Sequence, residues 1–194
     1  MTKKTAGQIA EIGGHIEQFA DEGVRKKVME GCEKVAVSSD MQRVSLWVKD
    51  AMDRLDASTD TAKREQIMLA CGYNCMDRNN RPMQMAKSRR QKYPTEEAFL
   101  VAEVLKPPRG MRFERKGDML LQYYTPHKFG KGMRCYCSLL RALPERVTVS
   151  PTYCQCSRGF VQKYWEGILE RPVRVELRET AISGAEECKF IIYL

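Results

Sequence analysis

The chain has 194 residues, 43% of them hydrophobic and 30% charged, with a net charge of +8. That length and composition suit a folded domain with a real core and exclude a disordered or low-complexity chain. No apolar run approaches the ~20 residues that span a bilayer, and the basic start Met1-Thr2-Lys3-Lys4 leads into no apolar signal core, so the sequence reads as a cytoplasmic protein.

The first part reads as helical. Ile9, Ile12, Ile16, Phe19, Val28, Cys32 and Val35 recur at three- and four-residue steps, predicting the apolar stripe of one long helix. Ser39 or Asp40 caps a second helix that buries Val44, Val48, Met52 and Leu55. Ser58-Thr59-Asp60 opens a third, which Gly72 is expected to end, leaving Cys71 and Cys75 near a helix terminus. A turn at Asn79–Pro82 leads into a short basic helix. Thr95-Glu96-Glu97 opens another, with acidic residues where the helix dipole favours them, and it stops before Pro107-Pro108.

The remainder changes character. Met111–Glu114 and Met119–Tyr124 predict strands joined by a turn at Lys116-Gly117-Asp118, and Arg146–Val149 a further short strand. Residues 125–134 form a basic loop containing His127. Phe160, Tyr164, Trp165 and Ile168 mark the buried face of a helix. Val173–Thr180 alternates as a strand, and Cys188–Leu194 closes the chain as its hairpin partner across Ser183-Gly184. These elements predict an α+β fold, with N-terminal helices packed on a C-terminal antiparallel sheet that contains one inserted helix. The chain reads as a single domain, 1–194, with a mainly helical half at 1–106 and an α+β ligand-binding half at 107–194.

Charge is uneven along the chain. Residues 76–134 carry 14 basic against 6 acidic groups, while the flanking segments are nearly balanced. The densest run is Lys87–Lys92. Few aromatics interleave with it, so it reads as a solvated helix face, and a nucleic-acid-binding regulator ranks last among the functional readings.

The cysteines carry the chemistry. Of eight, Cys135/Cys137 and Cys154/Cys156 form two Cys-x-Cys pairs. In an extended segment that spacing puts both sulfurs on one face, so two such segments can offer four thiolates to one centre, as zinc requires. Cys71 and Cys75 are rivals for the same centre. An iron–sulfur cluster uses similar ligands and ranks second. The competing reading is a nucleophilic thiol activated by a base or cation. His127, Lys131 and Arg134 precede Cys135, and Arg158 follows Cys156, but no nucleophile motif flanks any cysteine, so no catalytic residue is assigned. His15 is expected to pack or face solvent. Tyr123, Tyr136, Tyr153 and Trp165 are the candidates for lining a ligand pocket, although Trp165 also falls at core spacing.

From Tyr153 onward, Tyr153, Gly159, the helix ending near Gly167, Val173-x-Val175-Glu176, Gly184 and Cys188-x-Phe190-x-Ile192 resemble the vinyl-4-reductase-type small-molecule-binding domain. L-2-amino-thiazoline-4-carboxylic acid hydrolase-like proteins share this ending. With Cys71-Gly72-x-x-Cys75 and the two Cys-x-Cys pairs added, the chain is similar to a cysteine-rich bacterial family of unknown function in that grouping. It departs from the relatives at Thr180-Ala181, where they often carry a cysteine, which weakens any role carried over to Cys188. The resemblance implies helices on an antiparallel sheet, an interior pocket for a small organic ligand, and homodimerisation. No membrane partner is expected, since no apolar run is long enough to span a bilayer. A cysteine-dependent hydrolase of a small heterocyclic or amide substrate is the enzymatic alternative.

Overall fold

The computed structural model describes residues 3–124, 135, 137–144 and 146–194. Seven helices come first: α1 Lys3–Phe19, α2 Glu22–Val28, α3 Cys32–Ala36, α4 Met41–Ser58, α5 Thr61–Arg78, α6 Arg81–Arg90 and α7 Glu96–Leu105. The hairpin β1 Met111–Lys116 and β2 Met119–Tyr124 follows. A 3-10 turn, Pro151–Cys154, then leads into α8 Gln155–Leu169, β3 Arg174–Glu179, a second 3-10 turn Ala181–Ser183, and β4 Cys188–Tyr193. The expected α+β class, with one helix inserted between strands, is observed.

The single long N-terminal helix is replaced by three. Asp21 caps α2, its carboxylate accepting from Val24 N at 2.8 Å. Gly31 then turns the chain at φ 75°, a left-handed conformation that favours glycine. Helix α4 holds this corner: Trp47 Nε1 donates to Glu30 O at 2.8 Å, and Arg54 donates to Val28 O at 2.8 and 3.0 Å. The apolar residues read as one stripe are therefore still buried together, but on separate segments. Other expected starts are found where the caps placed them. Asp40 accepts from Gln42 N and Arg43 N, Asp60 from Lys63 N, and Thr95 from Ala98 N.

Two further expectations fail. Gly72 does not end α5, which continues to Arg78. Residues 146–149 form no strand, and Val147 N instead closes a turn onto Pro144 O at 3.0 Å.

The four strands are antiparallel in the order β1-β2-β4-β3. Their inner face carries Phe113, Leu120, Gln122, Val175, Phe190 and Ile192, all buried. Helix α8 lies against it through Tyr164, Trp165 and Ile168, and α7 adds Phe99 and Leu100 to the same cluster. Trp165 meets Phe113 and Tyr164 edge-on, at centroid distances of 5.8 and 5.5 Å. A second cluster lies among α1–α5, Leu139, Leu140, Leu143, Val149 and Tyr153. Helices α5 and α8 form the seam between the two clusters.

A candidate thiol centre at the helix seam

The seam is set by two glycines. A Cβ on Gly72 would sit 2.1 Å from Cys156 O and 2.7 Å from Phe160 N, and one on Gly159 would sit 2.2 Å from Leu69 O. Only glycine at both positions lets the two backbones touch, and that approach sets Cys156 against α5. Cys71 and Cys75, four residues apart on α5, share one helix face. Cys156 stands on the first turn of α8 beside Gly72. Polar pairs continue the seam on the outside: Arg158–Glu65 at 3.3 Å and Tyr73 Oη–Glu166 at 3.1 Å, with Lys163 on Asp77.

Cys137 lies on the segment before α8. Its Sγ lies 2.9 Å from Tyr153 Oη. Cys71 is buried, while Cys75, Cys135, Cys137 and Cys156 keep part of their surface open. Burial governs the titration of Cys71, Cys135, Cys137 and Cys156. Burial pushes Cys71 up to about 12, with the Glu11 carboxylate second. It pushes Cys156 well above the ordinary thiol value, and the neighbouring Cys71, Cys137, Cys75 and Cys135 add to the rise. Cys137 is also raised by burial, against the pull of the Tyr153 hydroxyl. Tyr153 is raised in turn, by burial first and then by Cys137 and Cys156. These thiols are therefore neutral in the metal-free protein at pH 7. Neutral thiols are poorer nucleophiles than thiolates.

The extended geometry expected for the second Cys-x-Cys pair is not found. Residues 151–154 are a 3-10 turn and 155–169 an α-helix. Two residues apart on such a helical path, side chains point to nearly opposite sides, whereas in a strand they would share a face. Cys156 accordingly faces the α5 thiols, while Cys154 turns toward Thr180 and Cys188. Cys135 lies between the groups: burial lifts it to about 12, aided by Cys137 on one side and Cys154 and Cys188 on the other. Among the described residues, no three cysteine, histidine or carboxylate side chains already stand around one point as metal ligands.

The aromatic candidates are scattered. Tyr123 lies on the outer sheet face, with the Arg112 guanidinium stacked 3.6 Å from its ring centre and Glu114 on its hydroxyl. Trp165 is a core residue on the other side of the sheet, donating to Gln122 Oε1 at 2.8 Å. Tyr153 is buried beside Cys137. Tyr136 and His127, with the rest of the 125–134 loop, lie outside the described residues. His15 is held by Asn74 at 3.0 Å. In the basic run, Arg89 is committed to buried Glu103 through two bonds of 2.7 and 2.9 Å. An open cleft of about 630 Å³ lies apart from the thiols, between α4 and the segments 148–151 and 182–184. No helix among the described residues is long and apolar enough to cross a membrane.

The sequence reading missed the glycine seam and the Tyr153–Cys137 contact. The first had a visible signal: Gly72 sits inside an unbroken 3.6-residue pattern, where a glycine often marks a close approach rather than a stop.

The model of a family described as "Family of unknown function (DUF6144)" matches residues 3–194. No curated protein matches. One similar solved structure is an H-NOX protein from S. oneidensis in the Fe(II)NO ligation state. It is 13% identical, with 98% of each chain covered and a TM-score of 0.42. A similarity that distant carries neither fold nor function across.

Proposed function

Since the chain belongs to the DUF6144 family, whose function is unknown, its role has to be read from its own residues, and we propose that Cys71, Cys75, Cys137 and Cys156 form a thiolate centre for a soft metal ion, zinc in the first place. One observation supports this reading. The close contact of α5 and α8 at Gly72 and Gly159 sets Cys156 beside the helix that carries Cys71 and Cys75, and burial raises Cys71, Cys137 and Cys156. Buried neutral thiols bind a soft cation by giving up their protons to it, so the metal supplies the charge that the surroundings lack. Binding requires the sulfurs to close on one point, about 4 Å from each other for Zn–S bonds near 2.3 Å. Cys137 would then exchange its Tyr153 contact for the metal.

The test is metal analysis of protein purified anaerobically, in the reducing conditions of a cytoplasm. The expected result is about one zinc per chain, falling at least tenfold in Cys156→Ser. Less than a tenth of an equivalent in the wild type, with no charge-transfer absorption on adding Co(II), would sink the proposal. Iron with visible absorption would redirect it to an iron–sulfur cluster.

Small-molecule binding is the second reading, favoured by the cleft that Lys49, Ser150, Pro151 and Ile182 help to line. Its volume lies in the range of small-ligand sites. A ligand held there would sit clear of the thiols and leave the metal content unchanged.

A further inference from the structure

The cysteines that the seam does not gather are themselves gathered elsewhere. Cys154 ends the 3-10 turn that precedes α8 and is 5% exposed. The Thr180 side chain lies beside its thiol. Cys188 opens β4 and is only half-buried. Its Sγ accepts from Ala181 N at 3.4 Å. The Cys188 sulfur is thus anchored at the residue after Thr180, on the β3–β4 connection that Cys154 faces. That connection is well held, because Thr180 Oγ1 bonds Ser183 Oγ at 2.9 Å and accepts from Ser183 N at 3.2 Å. The two 3-10 turns also pack on each other.

We propose that Cys154 and Cys188 are a disulfide-forming pair, a modification site separate from the seam thiols, oxidised by low-molecular-weight disulfides of the glutathione type. Cys188, the more open of the two, reacts first. Its thiolate attacks one sulfur of the small disulfide, a mixed disulfide forms, and one small thiol leaves. The Cys154 sulfur then attacks Cys188, the Cys154–Cys188 bond forms, and the second small thiol leaves. Two protein thiols are oxidised, one small disulfide is reduced to two thiols, and the two protein protons end on the products. The bond would tie the start of β4 to the turn two residues before Cys156, fixing the entry to α8.

The experiment uses the full chain. Native protein is incubated with oxidised glutathione, remaining thiols are blocked with N-ethylmaleimide, and non-reduced digests are mapped by mass spectrometry. The expected result is a dominant cross-link between the peptides holding Cys154 and Cys188. In Cys154→Ser, Cys188 is expected to accumulate as its glutathione adduct, because no second thiol displaces it. A dominant link from Cys188 to Cys135, a link from Cys154 to Cys156, or both cysteines recovered as maleimide adducts in the wild type would each overturn the assignment. These outcomes do not depend on metal, so the seam reading can fail while this one stands, and the reverse.

Discussion

The two hydrophobic clusters meet along α5 and α8 but are built from different materials. On the sheet side the volume is filled by aromatic and branched side chains, and the polar groups that go inside are paired: Trp165 with Gln122, and Arg89 with Glu103. On the helical side, Cys71 sits in the core and Cys135, Cys137 and Cys156 pack against it. A buried thiol fills space much as a small apolar side chain does, so either material makes a core. The difference is that the sheet-side cluster has spent its chemistry on packing, whereas the helical side holds several ionisable groups kept idle by burial. A core that needed only volume there would be served by alanine or valine.

The largest effect expected on the sheet side is therefore one of pure packing. Trp165 is fully buried, and Trp165→Ala removes its ring from between Phe113 and Tyr164. It also strands the Gln122 amide oxygen. A loss of about 3–5 kcal/mol is expected by chemical denaturation, with metal content per folded chain unchanged. A loss below about 1 kcal/mol would break the contrast, since the sheet cluster would then not be the packing core.

The seam itself gives a sharper test, because the same substitution has opposite signs at two glycines. Gly72→Ala drives a methyl into the backbone of α8 and is expected to cost about 1–3 kcal/mol. It also separates Cys71 and Cys75 from Cys156, so metal uptake should fall with it. Gly14→Ala, exposed on α1 with nothing within 4 Å of the new atom, is expected to stabilise by about 0.5–1 kcal/mol through helix propensity. Thermal melts of the two variants decide the matter: equal shifts would mean that the helices have room to part.

What could be read from sequence follows the range of the interaction. Caps at Asp40, Asp60 and Thr95, the β1–β2 turn and the alternation in β3 and β4 are local signals, and the elements lie where those signals put them. Gly31 and Asp21 were equally local, yet the continuous apolar stripe masked them, because burial periodicity survives when a helix is cut and re-angled. The proposed thiol centre was half legible. Grouping Cys71, Cys75, Cys137 and Cys156, as proposed, depends on two helices touching at Gly72 and Gly159, a contact between residues far apart in sequence. Cys154 was assigned with Cys156 because a strand was assumed. Once the segment is helical, the two sulfurs face different neighbours.

The smallest effect separates the clusters by pH. Cys71, Cys135 and Cys154 are each lifted by burial from 9.0 to about 12. On the sheet side, Tyr164 is lifted by burial from 10.0 to about 12. A group whose folded value lies above its unfolded value contributes stability that is complete below the unfolded value and is lost as pH rises toward the folded one. The unfolded chain starts to release thiol protons near pH 9, while the folded chain holds them. Metal-free protein should therefore melt at a constant temperature up to about pH 8.5 and lose stability from about pH 9, a full unit before the tyrosine begins to contribute. Cys71→Ala should make the fall between pH 9 and 10 shallower, by no more than about 1.4 kcal/mol per pH unit. If the proposed metal site forms, metal-loaded protein should show a weaker fall over this range, because thiols that ligate a metal give up their protons to it. A metal-free melt that stays flat to pH 10.5 would mean that the thiols are open to water, and the helical-side cluster would then be ordinary packing with cysteines at its edge.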